Sequence, residues 1–505
     1  MKEDVKKVIR FIEENIRVTD QTSIEYIDPK GHVNRLNSRQ NQIIFGRRGS
    51  GKSLLLKSLA SKNETKVCLK VNLEDFKDIS FPDSIIQVLK LAIQQLKTEV
   101  NTNISIFTFK KWIGSKKVQR KLSKTVSELQ KRLKDPDVFD ESTRVKSGSK
   151  LIGEAKTAIG KTSSKIGSEE TEEHESSRTI KIDKLNVLKN ELTNFKELIQ
   201  TAADLIDKDI FLILDDFYFI RKTDQPYLID FFHRLTKNTR LYLKVATIKH
   251  RSLLYIQGQT YVGVEIGHDA QALNLDYSLE DFNALVDFMK DLLNEVNRKV
   301  SVNIDYENLL TPNAFRFLCL ASGGVPRDFF SLFIMLSNKM INGTRSVSKP
   351  NVIDVCIENL PNKIEAFKTD SAEEKEILEH YLNYIKEEII SNKKWNSFLI
   401  SKNEVLNYSG INQAIKELVD LRLLHIANSN TSSAPSDGLR YTAYIVDIGL
   451  FPNSNPRNFQ QIEPGQKDES GREDKLRSSP KINLEEFNNH IKSLNLKTDL
   501  RVTPE

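Results

Sequence analysis

Three stretches of this sequence predict an α/β fold built on a central parallel sheet. The first is Gly46-Arg47-Arg48-Gly49-Ser50-Gly51-Lys52-Ser53, set between a short apolar run (Gln42 to Phe45) and the helix-like Leu54-Leu55-Leu56-Lys57-Ser58-Leu59-Ala60. The second is Asp209-Ile210-Phe211-Leu212-Ile213-Leu214-Asp215-Asp216, five consecutive apolar residues closed by two acids. Such a run reads as a strand buried on both faces that delivers carboxylates at its C-terminal end, where open α/β sheets place ligands. The third is Leu241 to Lys249, a second buried strand with Thr247 near its tip.

The first stretch is G-x-x-x-x-G-K-[ST] in a strand–loop–helix setting, and each residue type has a physical reason. Glycines let the backbone curl so that consecutive N–H groups point at phosphate oxygens. The helix N-terminus adds its dipole. Lys52 supplies a positive charge for the β- and γ-phosphates, and the Ser53 hydroxyl is a Mg²⁺ ligand. Gly46, Gly49, Ser50, Gly51, Lys52, Ser53 and Leu54 are therefore the candidate cradle for a nucleoside triphosphate. A plain glycine-rich turn before a helix is the alternative, and the later acidic strand argues against it. Asp215 is the expected Mg²⁺-side carboxylate, directly or through water, and Asp216 is the candidate to orient or deprotonate the attacking water. Thr247, with Lys249, His250 and Arg251 beside it, reads either as a γ-phosphate or water contact or as ordinary loop polarity.

A length of 505 residues suits roughly two to four domains. Charged residues (29%) set against 39% hydrophobic residues describe a soluble, helix-leaning chain, and the net charge of +6 permits a nucleic-acid partner without requiring one. Cys68, Cys319 and Cys356 are far apart in apolar surroundings, which reads as reduced, buried thiols and not as a disulfide or zinc framework. The first residues lack the apolar core of a signal peptide, and no run approaches the ~18 apolar residues of a membrane span. The expectation is a cytoplasmic protein with no membrane association.

In chain order, residues 1–30 read as a helical lead-in with Val5, Val8, Ile9, Phe11, Ile12 and Ile16 at helical spacing. Residues 31–277 form the core. Lys66 to Leu73 alternates like a strand, and 82–100 reads as an amphipathic helix with Pro82 near its first turn. Residues 108–182 break the pattern. Residues 110–134 hold ten Lys or Arg and a single Glu, and five of the seven residues 169–175 are Glu. Charge blocks of this kind describe a solvated helix and a mobile inserted loop, with a partner protein or nucleic acid as the contact to look for. A long helix from 183 leads to the acidic strand, and a further helix follows at 226–238. Residues 278–365 then read as helical (279–297, 306–321, 327–341). Gly323-Gly324-Val325-Pro326-Arg327 ends one helix and starts the next.

In residues 366–451 a helix (371–391), a short second helix (Ser401 to Tyr408) and a third helix with Ile411, Ile415, Leu418 and Leu421 precede two strands, Leu423–Asn428 and Leu439–Ile448. A polar wing lies between those strands. This order predicts a C-terminal winged helix whose third helix can enter a major groove. Its polar side offers Asn412, Gln413, Lys416 and Arg422 but also Glu417 and Asp420, so duplex DNA and a docking protein both remain open as its target. Residues 452–505 read as a flexible tail with one short helix around 484–493.

Together these residues resemble the AAA+/STAND group of P-loop ATPases, and within it the origin-recognition (ORC-type) ATPases and their bacterial relatives. The likeness covers about 30–450 apart from the insert. It implies an α/β P-loop NTPase with a helical lid and a winged helix, ATP and Mg²⁺ as cofactors, and homo-oligomers as an assembly to test. It places Thr247 at the sensor-one position and Arg327 at the sensor-two position, where an arginine reaches the γ-phosphate from the lid. Arg251 becomes a candidate to act on a neighbouring subunit's nucleotide. Asp215-Asp216 departs from the usual Asp-Glu and is a pair familiar in STAND-type switches, which implies slow turnover; Thr247 stands where Asn is usual, a departure that bears on the positioning of water. The resemblance implies a switch acting on DNA or a DNA-associated complex. The alternative is a STAND-like sensor or adaptor, for example in phage defence, that uses ATP to control oligomerisation.

Overall fold

The computed structural model describes residues 2–494 except 20, 62–64, 104–108, 135–183, 258–260, 342, 344–345, 371–374, 452–456, 466–470 and 472. Its centre is a five-stranded parallel sheet of β1 (Gln42–Phe45), β2 (Lys66–Asn72), β3 (Asp209–Asp215), β4 (Leu241–Thr247) and β7 (Gln271–Asn274), in the order β2-β3-β4-β1-β7. Every residue of β3 is buried. Its side chains alternate between two apolar layers, Leu212 and Leu214 on one side and Phe211 and Ile213 on the other. That is why the sequence shows an unbroken apolar run. A short antiparallel pair, β5 (Tyr255–Ile256) with β6 (Val262–Gly263), precedes β7.

On one face of the sheet lie α2 (His32–Leu36) and the P-loop helix α3 (Lys52–Ser61), whose Leu55, Leu56 and Leu59 are buried. On the other lie α4 (Asp83–Asn103), α6 (Leu192–Ile206) and α7 (Gln225–Thr236). The helix expected from 183 onward is interrupted by a turn at Glu191. A further helix, α5 (Phe109–Lys134), packs on α4 and α6 with Val118, Leu122 and Leu129 buried. The basic segment is thus anchored along one side and not solvated all round. The acidic half of the insert lies outside the described residues.

The lid consists of α8 (Phe282–Val300), α9 (Pro312–Ala321), α10 (Pro326–Ile341) and α11 (Lys349–Asp370). The amino-terminal α1 (Lys2–Asn15) buries Val5, Val8, Ile9 and Ile12 against α8 and α10, so the lead-in helix packs with the lid.

The C-terminal module contains α12 (Lys375–Ile385), which runs on into a π-helical segment (Lys386–Lys393), and α13 (Ser409–Asp420). An antiparallel sheet of β8 (Ser397–Ser401), β10 (Tyr441–Val446) and β9 (Leu424–Thr431) completes it. Two expectations are corrected here. Between Ser401 and Tyr408 only a 3-10 turn forms (Glu404–Asn407), and the preceding Ser397–Ser401 is a fully buried strand. The described part of the expected tail is packed. Ile482 N–H donates to the Leu399 carbonyl (3.1 Å), and helix α14 (Leu484–Ser493) buries Phe487 against Tyr384 with ring centroids 4.1 Å apart. Among the described residues no helix is long and apolar enough to cross a membrane.

Candidate nucleotide site

The parallel register brings the C-terminal ends of the strands to one edge. Phe45 pairs with Thr247 and Asn72 with Asp215, so the loop after β1 faces the carboxylates at the end of β3. Gly49 (φ 88°) and Gly51 (φ 96°) take left-handed conformations that side chains rarely adopt, which curls the loop inward. A cavity of about 710 Å³ opens over it, within the range of nucleotide-sized sites. Arg48 to Leu54, Asp215 and Asp216 line it from the core, and Pro326, Arg327 and Phe330 line it from the lid.

At the floor, Lys52 is buried and its Nζ donates to the carbonyls of Gly46 (2.7 Å) and Arg47 (3.1 Å). Burial depresses its pKa, opposed by Asp216, Asp276 and Asp215. Asp216 sits just past β3 in a left-handed conformation (φ 55°), which short polar side chains tolerate. Burial, then the neighbouring Asp215, raises its carboxyl to about 6, against the pull of Lys52. Asp215 accepts the Asp216 N–H at 3.0 Å. A general base is most useful when its pKa lies near working pH, and Asp216 is displaced in that direction.

The donor set suits Mg²⁺. Among the described residues no group of three or more His, Cys, Asp or Glu is placed to hold a metal ion by itself. Mg²⁺ prefers one or two protein ligands together with substrate phosphates. Ser53 and Asp215 both line the cavity and would be the residues to hold the ion. The Ser50 hydroxyl is buried without a hydrogen-bond partner, an orphan of the kind a phosphate oxygen satisfies.

Not all the expected residues reach the cavity. Thr247 is fully buried, and its hydroxyl hydrogen-bonds Ser252; Gly46 N–H donates to its carbonyl at 3.2 Å. Neither Thr247 nor Gly46 is among the lining residues. Arg251 lies close to Asp420 of the same chain: burial, then Asp276, raises that carboxyl to about 7, and Arg251 opposes the rise. The cavity also includes residues the sequence did not single out. Tyr26, Ile27, Phe288, Leu292 and Phe330 give one end an apolar wall, and Asn72 and Glu74 border the carboxylates. Tyr26 comes from the segment ahead of the P-loop and lies beside Gly51, 3.6 Å from where a Cβ there would stand.

Arg327 leads into α10 with its backbone N–H 3.4 Å from the Gly49 carbonyl, and its Nε is buried without a hydrogen-bond partner. The turn before it is a three-way junction. Arg47 of the P-loop donates to the Gly323 carbonyl (2.7 Å) and pairs with Asp276 (3.5 Å). A Cβ on Gly323 would stand 2.1 Å from the His425 ring of β9, and one on Gly324 would stand 2.6 Å from the Tyr277 carbonyl. One residue past Arg327, Asp328 forms an ion pair with Arg422 of the C-terminal module and lies 3.8 Å from Lys363. Lys363 also holds Asp447 at 2.6 Å. Burial alone would raise Asp447, yet Lys363 and His425 outweigh it and hold the carboxyl at about 2.

This junction corrects one expectation directly. The polar side of α13 does not face solvent: Gln413, Glu417 and Asp420 are buried and Asn412 and Lys416 half-buried, with the helix packed against the Lys249–Arg251 turn of the core. Arg422 is committed to Asp328.

The chain is similar to a Walker-type ATPase of Pyrococcus abyssi at 10% identity and a TM-score of 0.37, over 88% of this chain and 93% of that one. It is similar to the ORC1 protein of Aeropyrum pernix, solved in complex with DNA, at 10% identity and a TM-score of 0.29, over 89% and 90%. No family model and no curated protein matches it.

Proposed function

We propose that this α/β P-loop NTPase is an ORC-like AAA+ switch ATPase that binds and slowly hydrolyses ATP and acts on DNA or a DNA-associated complex. The observation that carries the reading is the position of Arg327, between the P-loop at Gly49 and the ion pairs that hold the C-terminal module. The apolar end of the cavity accepts the base, the curled loop and Lys52 hold the phosphates, and Arg327 meets the terminal phosphate from the lid. Ser53 and Asp215 would hold Mg²⁺, which when bound neutralises charge on the β- and γ-phosphates. Asp216 takes the proton of the attacking water. Arg327 responds to the change in phosphate charge, and the Asp328–Arg422 pair beside it passes that change to the C-terminal module, which we read as a winged helix.

One observation favours a second reading. The side of α13 expected to meet DNA is occupied by the protein's own core, as befits a STAND-like sensor whose ATP controls assembly and protein binding. Steady-state ATP hydrolysis with and without duplex DNA, at two salt concentrations, separates them. Salt-sensitive stimulation supports the DNA switch, and binding with little turnover and no DNA effect supports the sensor. Lys52→Ala with ATP affinity intact would defeat both.

A further inference from the structure

Residues 110–134 hold ten Lys or Arg against a single Glu, a net charge larger than the +6 of the whole chain, so the remainder of the protein is net acidic. The structure turns that segment into one helix with two unlike sides. Val118, Leu122 and Leu129 bury one side of α5, and Arg132 is tied to Glu191 through two hydrogen bonds. Lys117, Arg120, Lys121, Lys124, Lys131 and Lys134 are exposed. At about 100° per residue they fall within a sector of about 140° opposite the buried stripe, along about 26 Å of helix. The single acid on that face, Glu128, is 3.7 Å from Lys124. The other five cations make no ion pair among the described residues.

An ordinary solvated helix face mixes signs, because like charges at i,i+4 destabilise a helix by a few tenths of a kcal/mol. Here Lys117 and Lys121, and Arg120 and Lys124, stand at that spacing with the same sign. A helix that keeps this repulsion on one anchored face is complementary to a line of negative charge.

We propose that the exposed face of α5 binds duplex nucleic acid through its phosphate backbone, without reading sequence. The proposal rests on the DNA reading above and names the surface, which is not α13. Duplex DNA presents a negative charge about every 1.7 Å of axis, a density the stripe can engage over its whole length. No described residue on this face is aromatic or a large apolar group, so it offers neither a stacking platform for single strands nor an insert for a membrane.

The test is fluorescence anisotropy of two labelled 30-base-pair duplexes of unrelated sequence, with the full chain and with the combined variant Lys117→Gln, Arg120→Gln, Lys121→Gln, Lys124→Gln. Salt is varied from 50 to 300 mM. Wild type should bind both duplexes alike, and the variant should bind at least about tenfold more weakly at low salt. The variant's log–log salt slope should be shallower by about 3 to 4, near 0.9 for each charge removed. Its circular dichroism and its ATP turnover without DNA should match wild type, since these residues lie outside the nucleotide cavity. Equal affinity and slope in the variant would overturn the surface and leave DNA as a target. No binding of either duplex by wild type at 50 mM salt would overturn the surface and the DNA reading together. Tighter binding of single strands or anionic vesicles than of duplex would overturn the assigned ligand class.

Discussion

Replacing Asp216 with Asn should stabilise the nucleotide-free protein while removing its turnover. Burial and Asp215 raise the Asp216 carboxyl to about 6, about two units above an unperturbed aspartate. At about 1.4 kcal/mol for each tenfold change in proton affinity, that sets a ceiling of about 3 kcal/mol on the gain. The sign follows from linkage. Between about pH 4 and 6 the folded state binds the proton more tightly than the unfolded state, so this group's contribution falls as pH rises through that window and stays low above it. Asparagine never ionises, and it tolerates the left-handed backbone at this position. Urea denaturation should show the variant more stable at pH 7.5, with the advantage gone near pH 4. Turnover should fall by roughly 10² to 10⁴, the usual worth of a general base. A variant less stable than wild type at pH 7.5, or a stability difference independent of pH, would refute the assignment of a buried carboxylate crowded by Asp215.

Other expectations come from the same geometry. The pH profile of kcat/KM for ATP should show an acid limb near pH 6, where free Asp216 takes up its proton, and that limb should be absent from the residual activity of Asp216→Asn. Gly323→Ala should cost about 1–3 kcal/mol, because it sets a Cβ against the His425 ring at a left-handed backbone position; faster amide exchange in 424–431 would localise the damage to the junction. Arg422→Ala leaves Asp328 buried with the more distant Lys363, 3.8 Å away, as its remaining ion-pair partner among the described residues, and should cost about 2–4 kcal/mol. A double-mutant cycle with Asp328→Ala should recover most of that loss, whereas additive effects would mean that the pair is not coupled.

The P-loop and β3 were legible because their determinants are local: glycines at fixed offsets, a lysine and serine opening a helix, and an apolar run ending in acid. The rest of the site depends on which elements meet. Tyr26, Asn72, Glu74 and Phe330 come from separate parts of the chain and carry no motif. Strand Ser397–Ser401 was passed over because a short apolar run carries no period that separates strand from helix. In α5 the buried Val118, Leu122 and Leu129 have helical spacing, but the surrounding lysines mask it. The polar side of α13 was misplaced for a more general reason. Polar residues imply that something polar lies opposite, and periodicity alone does not distinguish water or DNA from a neighbouring domain. Here the neighbour is the protein's own core and lid, with Arg422 on Asp328.

The most direct test of the central claim, that ATP acts on the C-terminal module through Arg327, is amide hydrogen exchange with and without ATP in wild type and Arg327→Ala. In wild type ATP should change exchange at 323–331 and also at 424–431, across the Gly323–His425 contact. In Arg327→Ala, at ATP concentrations that fill the site, the change at 424–431 should be lost. ATP binding to wild type with no change beyond the P-loop, or an unaltered response in Arg327→Ala, would contradict the switch.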